Sequence, residues 1–287
     1  MYPNQLFLGL TLYDIMICVG IILCLLSFSY LADRRRIKLR LQKFSLIVGA
    51  FAIALGFGSA ILFQAFYNVE STGRFEIVTN TGATFYGGLI GGVTVFIALY
   101  FGLSRLFFRS AELKGYPEAH FFDIARCAVP SIAIAHGFGR IGCLFAGCCH
   151  GAPTNSFIGI MMHGDMGYRK YVPIQLFEAI FLLCLFGLLF LRAKEGKKYN
   201  LSLYVIVYGV WRFAIEYLRR DYRGSIPFTG LTPSQFIAIL MVAAGACLIL
   251  LERLVCKRIE EKQASVSVAE APIESAEESD VKEDVNE

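Results

Sequence analysis

The chain has 287 residues, 56% of them hydrophobic and only 17% charged, with a formal net charge of +4. Soluble domains carry about 25% charged residues, which excludes a soluble globular fold. The basic residues cluster in loops between apolar runs, which excludes a nucleic-acid partner. Several of these runs reach the roughly 20 residues needed to cross a bilayer core of about 30 Å, and they are continuous rather than alternating, which excludes a β-barrel. The composition predicts an all-α polytopic membrane protein, about seven transmembrane helices around a lipid-accessible cavity.

The expected spans are 6–32, 44–66, 85–108, 121–145, 172–191, 201–219 and 232–252. The first has no basic segment before it and no small-residue cleavage site, so it is expected to be a retained span and not a signal peptide. It carries Tyr13-Asp14, and an ionisable group in a span is a site hypothesis unless it reaches water near an end. The third opens with Phe85-Tyr86-Gly87-Gly88-Leu89-Ile90-Gly91-Gly92. Glycines four apart suit close helix contact, and Tyr86 suits an interfacial anchor.

The fourth span ends in His136-Gly-Phe-Gly-Arg140-Ile-Gly-Cys143-Leu-Phe-Ala-Gly-Cys148-Cys149-His150-Gly151. An Arg in mid-span costs roughly 2.5–3.5 kcal/mol on insertion scales, so function or a buried partner retains it. Two readings stand: a guanidinium that holds a lipid phosphate through paired hydrogen bonds, or a brace that pins two helices by pairing Arg140 with Glu216. In the sixth span Tyr208, Arg212, Glu216 and Arg220 recur every four residues and so form one polar stripe. Arg212 and Glu216 can pair along it, either as a packing face or as a second cationic wall. Near Ile259 the chain turns polar and acidic, a composition that cannot bury a core and predicts a disordered tail. The expected division is a transmembrane domain over 1–258 and a tail over 259–287.

Of the cysteines, Cys18, Cys24, Cys184 and Cys247 lie inside apolar runs and read as small buried hydrophobes. Cys143, Cys148 and Cys149 do not have the C-x-x-C spacing of zinc sites. No metal is expected there; passive packing, a disulfide or a reactive thiol remain. No Ser-His-Asp order, P-loop or dinucleotide fingerprint is present, and no cofactor is expected.

Together these segments resemble the prolipoprotein diacylglyceryl transferase family, seven-span enzymes of the bacterial inner membrane. The likeness runs from the first span to the last. It is carried by Tyr13, by Gly87-Gly88-Leu89-Ile90-Gly91, by Gly139-Arg140-Ile141-Gly142 with Gly151, and by Tyr208-Gly209 through Arg212 and Glu216. Against the family pattern G-R-x-G-N-F-x-N-x-E-x-x-G, Cys143 replaces the first Asn, Leu144 the Phe, Ala146 the second Asn and Cys148 the Glu. Tyr86 stands where the family has a His.

The resemblance implies transfer of the diacylglyceryl group of phosphatidylglycerol to the thiol of a prolipoprotein lipobox cysteine, with glycerol phosphate leaving. Arg140 and Arg212 would stabilise the anionic leaving group. Without the family's His, the base candidates are His136, His150, Tyr86 and Glu216, of which His136 has the best-suited intrinsic pKa, about 6.5. Tyr86 suits hydrogen-bond donation to phosphate better. Tyr13, Gly87, Gly88, Arg140, Gly142, Cys143, Gly151 and Tyr208 are the implied substrate-binding residues. The implied partners are phosphatidylglycerol, the prolipoprotein signal peptide and membrane lipids. Two rival classes remain: a sibling transferase that uses another acceptor, and a non-catalytic lipid-binding or redox membrane protein on the same scaffold.

Orientation follows from Lys and Arg in the loops. With the N-terminus outside and the C-terminus cytoplasmic, the inner loops hold seventeen and the outer loops six. A cysteine introduced into the 33–43 loop should therefore resist a membrane-impermeant thiol reagent in intact cells. Labelling of that loop from outside would reverse the assigned topology.

Overall fold

The structure is a computed structural model that describes residues 9–72, 85–107, 117–164, 167–219 and 230–270. The expectations for Arg220 and for residues 271–287 lie outside the described residues. The described elements are α1 (Leu12–Arg34), α2 (Leu39–Thr72), α3 (Phe85–Phe107), α4 (Pro117–Ala146), β1 (Ile160–Gly164), β2 (Gly167–Tyr171), α5 (Ile174–Lys194), α6 (Asn200–Glu216) and α7 (Pro233–Glu270). Each expected span falls on a helix, and six of the seven helices are long and apolar enough to cross a membrane. The exception is α6, whose 17 residues extend about 26 Å at 1.5 Å per residue. Helix α7 continues to Glu270, so the boundary expected at 259 falls inside a helix. That corrects the expectation of disorder for 259–270.

The chain divides into two compact units, Ala32–Ile124 and the remaining residues. In the Ala32–Ile124 unit, α2 and α3 meet along a stripe of small residues. A Cβ added at Gly91 would lie 2.3 Å from Ser59 Oγ, and one added at Gly87 would lie 2.5 Å from Phe63 Cβ. A Cβ at Gly88 would lie 3.2 Å from the Ala60 Cβ. Only glycine lets these backbones approach so closely, and dispersion then replaces the missing hydrophobic drive between helices in lipid. Ser59 Oγ also donates to the Gly87 carbonyl at 3.0 Å. Gly87 and Gly88 thus have a packing role. The Tyr86 side chain lies outside the described residues. The end of the unit is filled by Tyr100, fully buried, with Phe44, Phe96, Phe101 and Phe121 around it at centroid distances of 5.3–5.9 Å.

The other unit contains α1, α4–α7 and the hairpin. Helix α1 opens with a reciprocal cap. Thr11 N and Thr11 Oγ1 donate to Asp14 Oδ2 at 2.9 and 2.7 Å, and Asp14 N donates to Thr11 Oγ1 at 3.3 Å. Asp14 is accounted for by this capping box. Helix α7 opens the same way: Thr232 N donates to Gln235 Oε1 at 3.1 Å and Gln235 N to Thr232 Oγ1 at 3.2 Å, with Pro233 at the first helical position, where its missing N–H costs nothing.

Helix α4 contains Pro130, which cannot donate to the carbonyl four residues back, that of Arg126. Asn200, fully buried at the start of α6, supplies the missing donor: its Nδ2 reaches Arg126 O at 3.4 Å and Leu189 O at 3.3 Å. The Arg126 side chain pairs with buried Glu252 of α7 at 3.1 Å, and Glu252 also accepts from Tyr199 N at 3.3 Å. One proline thus organises a polar junction of α4, α5, α6 and α7.

The hairpin β1–β2 was not legible in the sequence. Its strands pair antiparallel from Ile160↔Tyr171 to Gly164↔Gly167. It is tied to the chain leaving α4, since Gly151 N donates to Val172 O at 2.9 Å and Val172 N to Ala152 O at 3.0 Å.

Asn200→Ala should lower stability by about 1–3 kcal/mol, the cost of unsatisfied buried carbonyls. Thermal unfolding in detergent should show a smaller loss when Pro130→Ala is also present, because residue 130 then donates to Arg126 O. An equal loss in both backgrounds would reject the assignment.

Candidate active site

The polar side chains of α4, α5 and α6 converge. His136 and Arg140 lie four apart on α4, hence on one face, and Tyr204 and Tyr208 do the same on α6. Between them stands Glu178 of α5, with no exposed surface. Its Oε2 pairs with Arg140 Nε at 3.0 Å, and its Oε1 accepts from the Tyr208 hydroxyl at 2.8 Å. His136 Nδ1 lies 3.3 Å from the Tyr204 hydroxyl, and its ring meets the Tyr208 ring edge-on at 5.1 Å. The Tyr204 and Tyr208 rings stack at 5.9 Å. His136 Nε2 is buried with no hydrogen-bond partner among the described residues.

Arg140 is held through its Nε only. Its side chain is 15% exposed, and its two terminal nitrogens have no protein partner among the described residues. Glu178 thus fixes the guanidinium through its Nε and leaves the two terminal nitrogens for a planar anion such as a phosphate or carboxylate.

Further along α6, Arg212 Nη1 pairs with Glu216 Oε2 at 2.8 Å, and Arg212 Nη2 donates to Ser234 Oγ at 2.9 Å. Thr232 Oγ1 donates to Glu216 Oε1 at 3.2 Å. The capping residues of α7 thus close this end of the stripe. Arg212 shares its electrostatic environment with His136, Arg140 and Glu178. Each guanidinium is thus matched by its own carboxylate, Arg140 by Glu178 and Arg212 by Glu216.

This arrangement corrects the brace expectation. Arg140 pairs with Glu178, and Glu216 pairs with Arg212 along its own helix. Glu178 went unnoticed in the sequence, although it is the only acidic residue in the α5 span before Lys194 and a lone carboxylate in an apolar helix is a site signal by itself.

Further candidates lie at the C-terminal end of α4. Tyr13 of α1 packs on Gly142, where an added Cβ would sit 3.1 Å from Tyr13 Cδ2. Tyr13 lies within electrostatic reach of Cys143, Cys148 and Cys149. Gly151 is equally confined: a Cβ there would meet Ile174 Cδ1 at 2.7 Å and Leu218 O at 2.9 Å. His150 turns toward the hairpin, with its ring 4.2 Å from that of Tyr171. Its Nδ1 lies 3.1 Å from Gly151 O; a carbonyl only accepts, so Nδ1 is the donor in this contact. The Cys149 thiol is shifted below its ordinary pKa, first by the neighbouring Cys143 and Cys148 thiols and then by the Arg140 and Arg219 charges.

Comparison with known proteins identifies the family. The family model described as prolipoprotein diacylglyceryl transferase matches residues 4–251. The chain is 40% identical over 172 residues to phosphatidylglycerol--prolipoprotein diacylglyceryl transferase 2 of Clostridium perfringens, covering 58% of this chain and 61% of that protein. It is 37% identical over 177 residues to the phosphatidylglycerol--prolipoprotein diacylglyceryl transferase of Clostridium tetani, covering 59% and 65%. In these two relatives the match therefore spans somewhat less than two thirds of the protein. A protein of the same name from Streptococcus pneumoniae is 28% identical over 256 residues, covering 85% of this chain and 90% of its own length. With a matched region that takes in α1 through the first half of α7, the chain belongs to the prolipoprotein diacylglyceryl transferase family.

Proposed function

We propose that the protein transfers the diacylglyceryl group of phosphatidylglycerol to the thiol of a prolipoprotein signal-peptide cysteine. The observation that carries the reading is the half-presented fork of Arg140, oriented by Glu178 and open on its phosphate-binding side. The names of the relatives support the same substrates. In the reaction the acceptor sulfur attacks the glyceryl carbon. A C–S bond forms, the C–O bond to phosphate breaks, and glycerol phosphate carries away the electron pair. The thiol proton passes to a base.

The roles follow from position. Arg140 binds the phosphate and stabilises the charge that grows on the leaving oxygen. Arg212 contributes positive potential, held by Glu216 and Ser234. Tyr208 orients Glu178, which orients Arg140. His136 takes the thiol proton, with His150 the second candidate. His136 shares a helix face with Arg140, and its unpartnered Nε2 has lone-pair or proton capacity that no protein group uses. Residues 1–258 are the transferase domain and 259–287 an acidic extension. The protein resides in the bacterial inner membrane with its N-terminus outside.

The direct test incubates the purified protein with labelled phosphatidylglycerol and a lipobox peptide. Label on the peptide cysteine supports the reading. Label only on another acceptor makes the protein a sibling transferase, and no labelled product in any extract makes it a non-catalytic lipid-binding protein.

Arg140→Lys and Arg212→Lys keep the charge and lose the planar fork. Each should lower turnover by about 10²-fold, the effect of losing one donor to a developing oxyanion. Normal specific activity with a lowered unfolding temperature would mark both as braces instead.

His136→Ala should lower turnover by about 10²–10⁴-fold, the usual contribution of a general base, while binding of phosphatidylglycerol survives. Near-full transfer by both His136→Ala and His150→Ala would shift the base to Glu216 or to an acceptor thiol that is already ionised.

A further inference from the structure

All nine cysteines are free thiols, and three of them are brought together by the way α4 ends. Gly147 takes a left-handed φ of 73°. Gly147 N donates to Leu144 O and Cys148 N to Cys143 O, both at 3.2 Å. These are the two bonds of a Schellman motif, which folds the residue after the left-handed glycine back over the helical residue five before it. In most proteins an apolar contact fills that place; here both residues are cysteines. Cys149 then adopts a left-handed φ of 58°, a conformation that a non-glycine residue rarely takes. The Sγ atoms of Cys143, Cys148 and Cys149 all lie within 4.8 Å of one another.

The loop is fixed from outside as well. Gln175 Nε2 donates to the Cys148 carbonyl, and Gly151 N donates to Val172 O. The sulfurs are also accessible, with Cys148 exposed and the other two half-buried. Spacing along the chain argues against a shared ligand for adjacent cysteines. The left-handed turn at Cys149 removes that objection by setting the two sulfurs on the same side of the loop.

We propose that Cys143, Cys148 and Cys149 form a trithiolate site for a thiophilic d10 cation, Zn(II) or Cu(I). Thiolate sulfur selects these ions over harder ones. Sulfurs bound at about 2.3 Å to one ion stand about 4 Å apart, inside the spacing observed. Binding releases three thiol protons, so the complex is anionic, and Arg140 and Arg219 lie within electrostatic reach of Cys149 to balance it. Among the described residues no fourth Cys, His or carboxylate joins the group, which leaves one position open, as in metal sites that take water or substrate. The proposal does not rest on the transferase reading, because it concerns affinity for the ion alone.

The test uses the full-length protein in detergent, reduced and stripped of metal, then titrated with Zn(II) or Cu(I) against a chromophoric chelator for each. Elemental analysis should count one ion per chain, and X-ray absorption should find three sulfur neighbours at about 2.3 Å for Zn(II), slightly shorter for Cu(I). A further oxygen neighbour marks the Zn(II) form, and its absence marks Cu(I). Cys143→Ser, Cys148→Ser and Cys149→Ser should each weaken binding by about 10-fold or more, since even outer-shell changes cost 10–100-fold. Cys184→Ser and Cys247→Ser should leave it unchanged. Cys148→Ser, at an exposed loop position, is the variant least able to disturb folding and keeps the test decisive. Binding that persists in the triple-serine variant, no binding by the reduced wild type, or a Cys143–Cys148 disulfide that survives reductant would each overturn the proposal.

Discussion

A carboxylate without solvent contact holds the centre of this protein together. Glu178 is approached by a guanidinium from α4 and a phenol from α6, so three helices converge on one negative charge. Isolated, that charge is untenable in an apolar bundle; paired, it fixes both partners, because removal of either member of a buried pair costs about 3–5 kcal/mol. The pairing through Nε has a further consequence. It uses the edge of the Arg140 guanidinium nearest the backbone and leaves the terminal fork for a ligand. The same interaction that makes Arg140 tolerable inside the membrane thus makes it available for chemistry.

Two irregularities near that centre are matched by nearby donors or acceptors. Pro130 removes a backbone donor, and Asn200 replaces it. The start of α7 would expose unsatisfied N–H groups, and Thr232 and Gln235 satisfy them reciprocally. Thr232 also reaches Glu216, and the adjacent Ser234 accepts from Arg212, so the end of one helix serves as the wall of the neighbouring ion pair. Water is not present in the hydrocarbon region to fill such gaps, which is why the polar residues here form closed sets.

Two departures from the family pattern share one location. Cys143 and Cys148, which replace an Asn and the Glu of the pattern, meet across the Schellman turn beside Tyr13. A polar pair is thus replaced by a sulfur pair at the same corner, and the arginine cluster below it is untouched. This separates two layers of the site: an ion-paired layer across α4, α5 and α6, and a sulfur layer at the helix end.

Much of this was legible in the sequence. Hydrophobic run length fixed the seven helices, because a span must satisfy its own backbone and must be long enough to cross. The four-residue spacing of Tyr208, Arg212 and Glu216 predicted the Arg212–Glu216 pair, since such residues share a face whatever the surroundings. The paired glycines of α3 predicted close helix contact. What the sequence left undecided was every choice between partners on different helices. Arg140 had Glu216 as its evident mate from the motifs, and only packing assigned it Glu178. The short hairpin gave no periodic signal, because its pairing to the chain after Gly151 stabilises it more than its own side chains do. The three sulfurs were spaced wrongly for a metal along the chain, and one left-handed glycine brought them together. Periodicity and length act along one helix and can be read in order. Ion pairs, caps and sulfur clusters depend on which faces of which helices meet, and the tertiary structure alone decided that.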